Sequence, residues 1–325
     1  MNPRTEATAR AAGSPVPADT TGRLRKQYES LICDLLGEGL TGPAYQIADL
    51  AVAGGLWTER LQRPIELHPV THRCALFEPG EFWFTSHLRQ RWERIRAEID
   101  AIADPTRAGF STAGLNGSTV RGGLWHQLML WDRGRRFDRA CELLPETAEA
   151  VSAIPEATAA GIGFVMVSWL QPGTWIAPHC GPTNAKARTH FCVRTDPDAR
   201  IRVGDRERRW EEGASFTFDD SFEHEVRHEG TVPRVVLILD TVNPYLTDPA
   251  AVVRRDQANR TDEMHSFMTS MQLERIARTG DGVEITLNPG MGEFIRSYMD
   301  SRQLASVELY EGRLRVRTTG GGGRG

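Results

Sequence analysis

The sequence predicts a mainly β protein, an antiparallel sandwich or jelly roll with flanking helices and a small C-terminal α+β appendage. Three observations lead there. Six short β-rich runs, FVMVSWL (164–170), TWIAPH (174–179), THFCVR (189–194), IRVGD (201–205), SFTFDD (215–220) and RVVLILDTV (234–242), follow one another with almost no helical stretch between them. Gly, Pro, Asp or Asn punctuates the gaps, as turns between antiparallel strands require. Helical periodicity is confined to either side of this block.

Taken in order, residues 1–21 are rich in Ala, Thr, Pro and Arg. They lack an apolar core segment and read as a disordered leader, not a secretory signal. RKQYESLICDLLGEG (25–39) and AYQIADLAVAGGLW (44–57) have the apolar spacing of two short helices separated by Gly and Pro. FWFTSHLRQRWERIRAEIDAI (82–102) puts Leu88, Trp92, Ile95 and Ile99 on one face and charges opposite, the pattern of an amphipathic helix over a core. WHQLMLW (125–131) alternates large and polar residues as a strand does, ahead of the turn DRGRRF. PETAEAVSAI (145–154) reads as a helix, with Pro145 suited to its first turn. Beyond 246 the pattern predicts a helix over 262–278, a strand at VEITL, a helix at GEFIRSYMDSRQ and a strand pair, VELYEG and RLRVRT. The chain thus divides into a leader (1–21), a core domain with N-terminal helices (22–246), the α+β appendage (247–318) and a flexible Gly-rich tail (319–325).

Composition narrows the function. The 325 residues are 40% hydrophobic and 25% charged, with a net charge of −4. That near-balance argues against a nucleic-acid partner, which selects for a basic excess. No apolar run reaches the length needed to span a membrane. Five cysteines (33, 74, 141, 180 and 192), odd in number and without a CxxC pair, suit a reducing cytoplasm and buried thiols.

The chemistry gathers between Ser168 and Leu246. His179 and His224 lie 45 residues apart, each bordering a β run, at a separation that a jelly roll can close. A pair of neutral imidazoles suits Fe(II), Zn(II), Cu(II) or Ni(II), so the residues alone do not choose a metal. The acid that a two-histidine, one-carboxylate triad places two residues after the first histidine is replaced by Gly181. Lys186, Arg188 and His190 share one strand face, which is either a cationic wall for an anion or a solvated edge. Arg234 opens the apolar run VVLILD and offers a fork for a carboxylate, to which the Ser168 hydroxyl adds a donor. Asp219, Asp220, Glu223 and Glu225 either form a solvated loop or orient His224 from behind, the reading we favour. Trp125, Trp131 and Trp175 are core aromatics or pocket walls.

PGTWIAPHCGPTNAKARTHF, WEEGASFTFDDSFEHEV and RVVLILDTVNPYL together resemble the aspartyl/asparaginyl β-hydroxylase family of Fe(II)/2-oxoglutarate dioxygenases. The likeness runs over about residues 66–246, with LWHQLMLWDRGRR resembling the family's Trp-bearing strand. It implies a double-stranded β-helix with His179 and His224 as iron ligands and water in place of the carboxylate, which accounts for Gly181. It also implies 2-oxoglutarate held by Ser168, His190 and Arg234, O₂ as co-substrate, an acidic substrate near Arg188, and Trp125 walling the site. Lys186 departs from the family's usual arginine and loses its bidentate fork. The animal enzymes' long N-terminal segments have no counterpart here, which suggests a cytoplasmic hydroxylase. Relatives that hydroxylate aspartate in lanthipeptide precursors of the cinnamycin/duramycin kind make a peptidyl Asp the expected substrate, with free or carrier-bound Asp or Asn as the alternative. A non-catalytic jelly-roll sensor for 2-oxoglutarate or metal is the rival from another class. Oligomeric state is not legible.

Overall fold

A computed structural model describes residues 18–113, 119–159 and 162–258 and, as strands, 275–279, 282–286, 304–310 and 313–318. Its centre is a run of eight strands: β4 (Phe164–Leu170), β5 (Trp175–His179), β6 (Lys186–Arg194), β7 (Ala199–Val203), β8 (Arg206–Arg209), β9 (Ser215–Phe218), β10 (His224–His228) and β11 (Arg234–Val242). Before them come β1 (Ser111–Thr112), β2 (Trp125–Asp132) and β3 (Arg135–Arg136). One sheet runs β1-β2-β4-β11-β6-β9 with β3 on β2, and the facing sheet runs β5-β10-β7-β8. Strand β4 pairs with β11, β5 with β10, β6 with β9 and β7 with β8, all antiparallel. The chain therefore doubles back on itself at the β7–β8 turn and the resulting two-stranded ribbon winds into a double-stranded β-helix, the jelly roll.

The larger sheet is buried on both faces. Its outer face packs Val165, Val167, Phe191, Val235, Leu237 and Leu239 against helices. Its inner face meets the smaller sheet through Met166, Leu170, Cys192, Val236 and Ile238 against Ile176, Ile201 and Val226. This is why β11 reads as an unbroken apolar run instead of alternating. The covering helices are α3 (Phe84–Gln90), α4 (Trp92–Asp100), α5 (Asp138–Leu143), α6 (Pro145–Ser152) and α7 (Pro155–Thr158), preceded in the chain by α1 (Ala18–Gly37) and α2 (Thr41–Ala53). The single helix expected over 82–102 is two, because Arg91 leaves helical geometry at φ −104°, ψ 1°. Its apolar face survives the break, with Leu88, Ile95 and Ile99 all fully buried.

Helix α1 begins at Ala18, inside the stretch read as leader, while residues 1–17 lie outside the described residues. Beyond α8 (Pro249–Ala258), β12 (Arg275–Thr279), β13 (Gly282–Thr286), β14 (Leu304–Tyr310) and β15 (Arg313–Thr318) form a sheet in the order β12-β13-β15-β14. The helix expected over 262–278 is corrected at its end. Arg275–Arg278 are in β12, paired residue by residue with β13, and strand pairing overrides local helical spacing there. The rest of that helix, the one at 292–303 and the tail fall outside the described residues. Among the described residues no helix is long and apolar enough to cross a membrane.

Candidate functional site

His179 ends β5 and His224 begins β10, and the register sets them directly opposite each other. Their ring centroids are 4.2 Å apart. Each ring is anchored the same way, to the carbonyl two residues back: Nδ1 of His179 donates to Ala177 O at 2.8 Å, and Nδ1 of His224 to Phe222 O at 2.9 Å. A carbonyl only accepts, so Nδ1 carries the proton and the Nε2 lone pair of each ring is left for another partner. Burial holds both rings below the ordinary imidazole pKa, and for His224 the neighbouring His179 adds to the effect. Two neutral, oriented imidazoles are the donor set that a divalent transition metal takes. Among the described residues no third His, Cys, Asp or Glu joins them in a cluster.

The carbon that a side chain at Gly181 would add meets the Asp220 carboxylate, 2.5 Å from Cγ and 2.6 Å from Oδ2. The backbone is locked there as well, Gly181 N–H donating to Asp220 O at 2.6 Å. Asp220 is itself held, with Oδ2 2.9 Å from an Arg188 guanidinium nitrogen. Gly181→Ala should therefore cost about 1–3 kcal/mol of stability through overpacking. Gly181→Asp should cost more, because it presses one carboxylate onto another. Thermal unfolding of the metal-free variants checks both; a Gly181→Asp protein as stable as wild type would show that Asp220 yields freely.

Arg234 is fully buried, and its Nε and one terminal nitrogen have no hydrogen-bond partner. It lies over the Trp210 ring at 4.6 Å, and burial draws its pKa down to about 10. His190 stacks on the same indole with centroids 6.0 Å apart, and its Nδ1 is also buried without a partner. From His190 the ring contacts continue through Phe218, at 5.1 Å, to His224, at 5.4 Å. Ser168 pairs with Val236 on β11, in the row between those of Arg234 and His190, and its hydroxyl accepts from Trp125 Nε1 at 2.9 Å. The inner face thus runs from the histidine pair down to a lone guanidinium. An unpaired buried cation and an unpaired imidazole nitrogen fit an anion that fills the space between them.

Lys186 and Arg188 also face inward, but they do not form a bare cationic wall. Arg188 forks onto Asp240, Nε at 2.7 Å and NH2 at 2.8 Å, in addition to Asp220. Lys186 Nζ lies 3.5 Å from Asp240. Burial works against the Arg188 charge, yet the two carboxylates outweigh it and hold the guanidinium above its ordinary value. Two cations thus meet two buried carboxylates. Asp240 was the residue that sequence reasoning missed, although its period-two spacing from Arg234 along β11 puts it on the same face.

No carboxylate of the acidic stretch bonds to the His224 ring itself, which the Phe222 carbonyl holds, and the two glutamates go to arginines. Glu223 pairs with Arg63 and Arg202, and Glu225 with Arg202 and Arg227. Asp219 is buried, which pushes its pKa up to about 7 against the hydrogen bond from Ser221. A folded pKa above the unfolded value of about 3.9 stabilises the fold at low pH, and that contribution is lost as pH rises through 7. Asp219→Asn should remove this dependence. Between pH 4 and 7 the melting temperature of the wild type should fall relative to that of the variant, and parallel curves would rule out this protonation. Trp131 is a core residue. Trp175 faces outward, beneath Arg227 at 4.5 Å, in a cleft of about 650 Å³ shared with Leu36, Tyr45 and Arg202. Helix α1 packs on β5, and this cleft lies on the outer face, because the side chains of Trp175 and Arg227 alternate away from those of Ile176 and Val226.

Strand order and inner face together define a jelly-roll protein with buried polar and charged side chains between its two sheets. Residues 89–244, just under half of the chain, match the family model described as Aspartyl/Asparaginyl beta-hydroxylase. The human protein named aspartyl/asparaginyl beta-hydroxylase is 36% identical over 171 residues, covering 52% of this chain and 22% of its own length. Human aspartate beta-hydroxylase domain-containing protein 2 is 33% identical over 161 residues, or 48% of this chain and 44% of its own. The chain thus spans less than half the length of these curated relatives. A 2OG-Fe(II) oxygenase family structure from Burkholderia pseudomallei aligns with a TM-score of 0.31 and 14% identity, over 55% of this chain and 99% of its own. At that score the fold rests on this chain's own strand order.

Proposed function

We propose that the protein is an Fe(II)- and 2-oxoglutarate-dependent dioxygenase that hydroxylates the β-carbon of an aspartyl residue, most simply one within a ribosomal peptide precursor. The observation that carries this reading is the buried guanidinium of Arg234 with unpartnered nitrogens on one sheet, between the same two sheets as a pair of imidazoles whose Nε2 atoms are free. Metal and co-substrate, when bound, would supply the oxidising chemistry by oxidative decarboxylation of the 2-oxo acid with O₂. The chain's part is positional. His179 and His224 hold the metal in a fixed orientation. Arg234, with Ser168 and His190, receives the far carboxylate of 2-oxoglutarate, and the aromatic lining of Trp210, Phe216 and Phe218 excludes water. Trp125 steadies Ser168 from the β2 side.

Lys186 supports the aspartyl assignment. It spends one of its three N–H groups on Asp240, at 3.5 Å, and keeps donors for a substrate carboxylate at the more open end of the pocket. Clamping that carboxylate would bring Cβ nearest the metal. The names of the matched relatives point to the same residue. We place the enzyme in a lanthipeptide-type pathway in the cytoplasm. Purified protein with Fe(II), O₂ and 2-oxoglutarate should form succinate and add one oxygen to an Asp-containing peptide, seen by mass. Oxidation of free or carrier-bound Asp instead would overturn the peptide substrate alone. Tight 2-oxoglutarate binding without turnover across acidic substrates would replace the enzyme with a sensor.

A further inference from the structure

Arg63 is completely enclosed, with Nε 2.7 Å from Glu29 and NH1 2.8 Å from Glu223. These two carboxylates reach the two loops that present the imidazoles. Glu29, on α1, accepts the backbone N–H of Cys180, the residue after His179, at 3.2 Å. Glu223 directly precedes His224, and its other oxygen accepts from the Tyr45 hydroxyl and from Arg202, each at 2.8 Å. The backbone repeats the pattern. Glu66 N–H donates to Pro182 O at 2.9 Å on the His179 side. On the His224 side Glu223 N–H donates to Leu61 O at 2.7 Å and Arg63 N–H to Ser221 O at 3.3 Å. Gln62 adds a bond to the Ser221 hydroxyl at 2.8 Å. All the bracing residues up to Glu66 precede the span 89–244 that matches the family.

We infer that Arg63 is a positioning residue for a metal held by His179 and His224, linking through Glu29 and Glu223 the two loops that carry them; this rests on the metal reading proposed above. Stability does not explain the triad, since replacing a buried ion group by well-packed neutral side chains is often neutral or stabilising. Geometry does. Two protein ligands leave more freedom than three, and the groups that orient metal ligands control affinity by about 10–100-fold.

The test replaces the whole triad, Arg63→Met with Glu29→Gln and Glu223→Gln, so that no buried charge is stranded. Co(II) titration of the metal-free protein, followed by its visible absorption, reads the site independently of turnover. The triple variant should melt close to wild type yet bind Co(II) about tenfold or more weakly, with an altered spectrum. Folded triple variant that binds Co(II) within about twofold of wild type would overturn the inference. Should the triple variant not fold, Glu29→Gln decides: it keeps an acceptor for the Cys180 amide but loses the ionic link, so about threefold weaker Co(II) binding supports the brace and unchanged binding overturns it. Wild-type protein that takes up no Co(II), or takes it up equally after His224→Ala, would instead defeat the metal reading, and the brace with it.

Discussion

Arg234→Met should raise the melting temperature of the ligand-free protein and at the same time raise the 2-oxoglutarate requirement by orders of magnitude. The two effects have one cause. A guanidinium that is fully buried with unpartnered nitrogens incurs a desolvation penalty of several kcal/mol that its packing on Trp210 offsets only in part. Methionine fills much of the same volume without that penalty. What the variant gives up is the contact with Trp210, at 4.6 Å, which is worth about 2 kcal/mol when desolvated. With the co-substrate present the sign reverses. Loss of one partner of a buried charge pair costs about 3–5 kcal/mol, which is roughly two to four powers of ten in affinity. Thermal unfolding with and without 2-oxoglutarate measures both effects, because a ligand that binds only the folded state raises stability with its concentration. An unchanged 2-oxoglutarate requirement would mean that the pocket has been misassigned. A ligand-free variant less stable than wild type would mean that Arg234 has a structural partner after all.

His179→Ala and His224→Ala should each abolish nearly all hydroxylation while leaving the fold in place. Among the described residues the rings' hydrogen bonds run only to carbonyls two residues back in the chain, so truncation strands no distant partner. Some stability is lost with the ring packing of His224 on Phe218, at 5.4 Å. A single imidazole is a poor site for a labile divalent ion, so Fe(II) or Co(II) affinity should fall by well over the 10–100-fold seen when only supporting groups are removed, itself an order-of-magnitude range. Equilibrium metal binding and succinate formation check the two halves. Retained activity in either variant would remove that histidine from the site.

Much of this was legible because the jelly roll imposes period-two rules that sequence displays directly. Lys186, Arg188 and His190 could be put on one face by parity, and the six β runs between 164 and 242 all contain strands. Strand β8, RERR, was not read, because every one of its side chains is exposed and no apolar position marks it. The pairing of Lys186 and Arg188 with Asp240 was hidden for a different reason. Asp240 lies in a strand buried on both faces, where alternation disappears and an inward residue looks like any other. The partners of the acidic stretch, Arg63 and Arg202, were not legible because they arrive from elements far apart in the chain. No local spacing announces a salt bridge across 160 residues.

The pairing of β5 with β10 has a consequence for how such a protein changes over time. The two imidazoles are separated by one rung of a ladder, so their spacing is set by strand register and not by the 45 residues of chain between them. Those residues form the outbound and returning arms of the ribbon, and they meet at the tip between β7 and β8. Insertions at that tip leave the rung untouched, whereas a one-residue slip inside β5 or β10 turns a ring away from its partner. The tip is therefore where new recognition sequence can be grafted, by selection or by design, without retuning the chemistry.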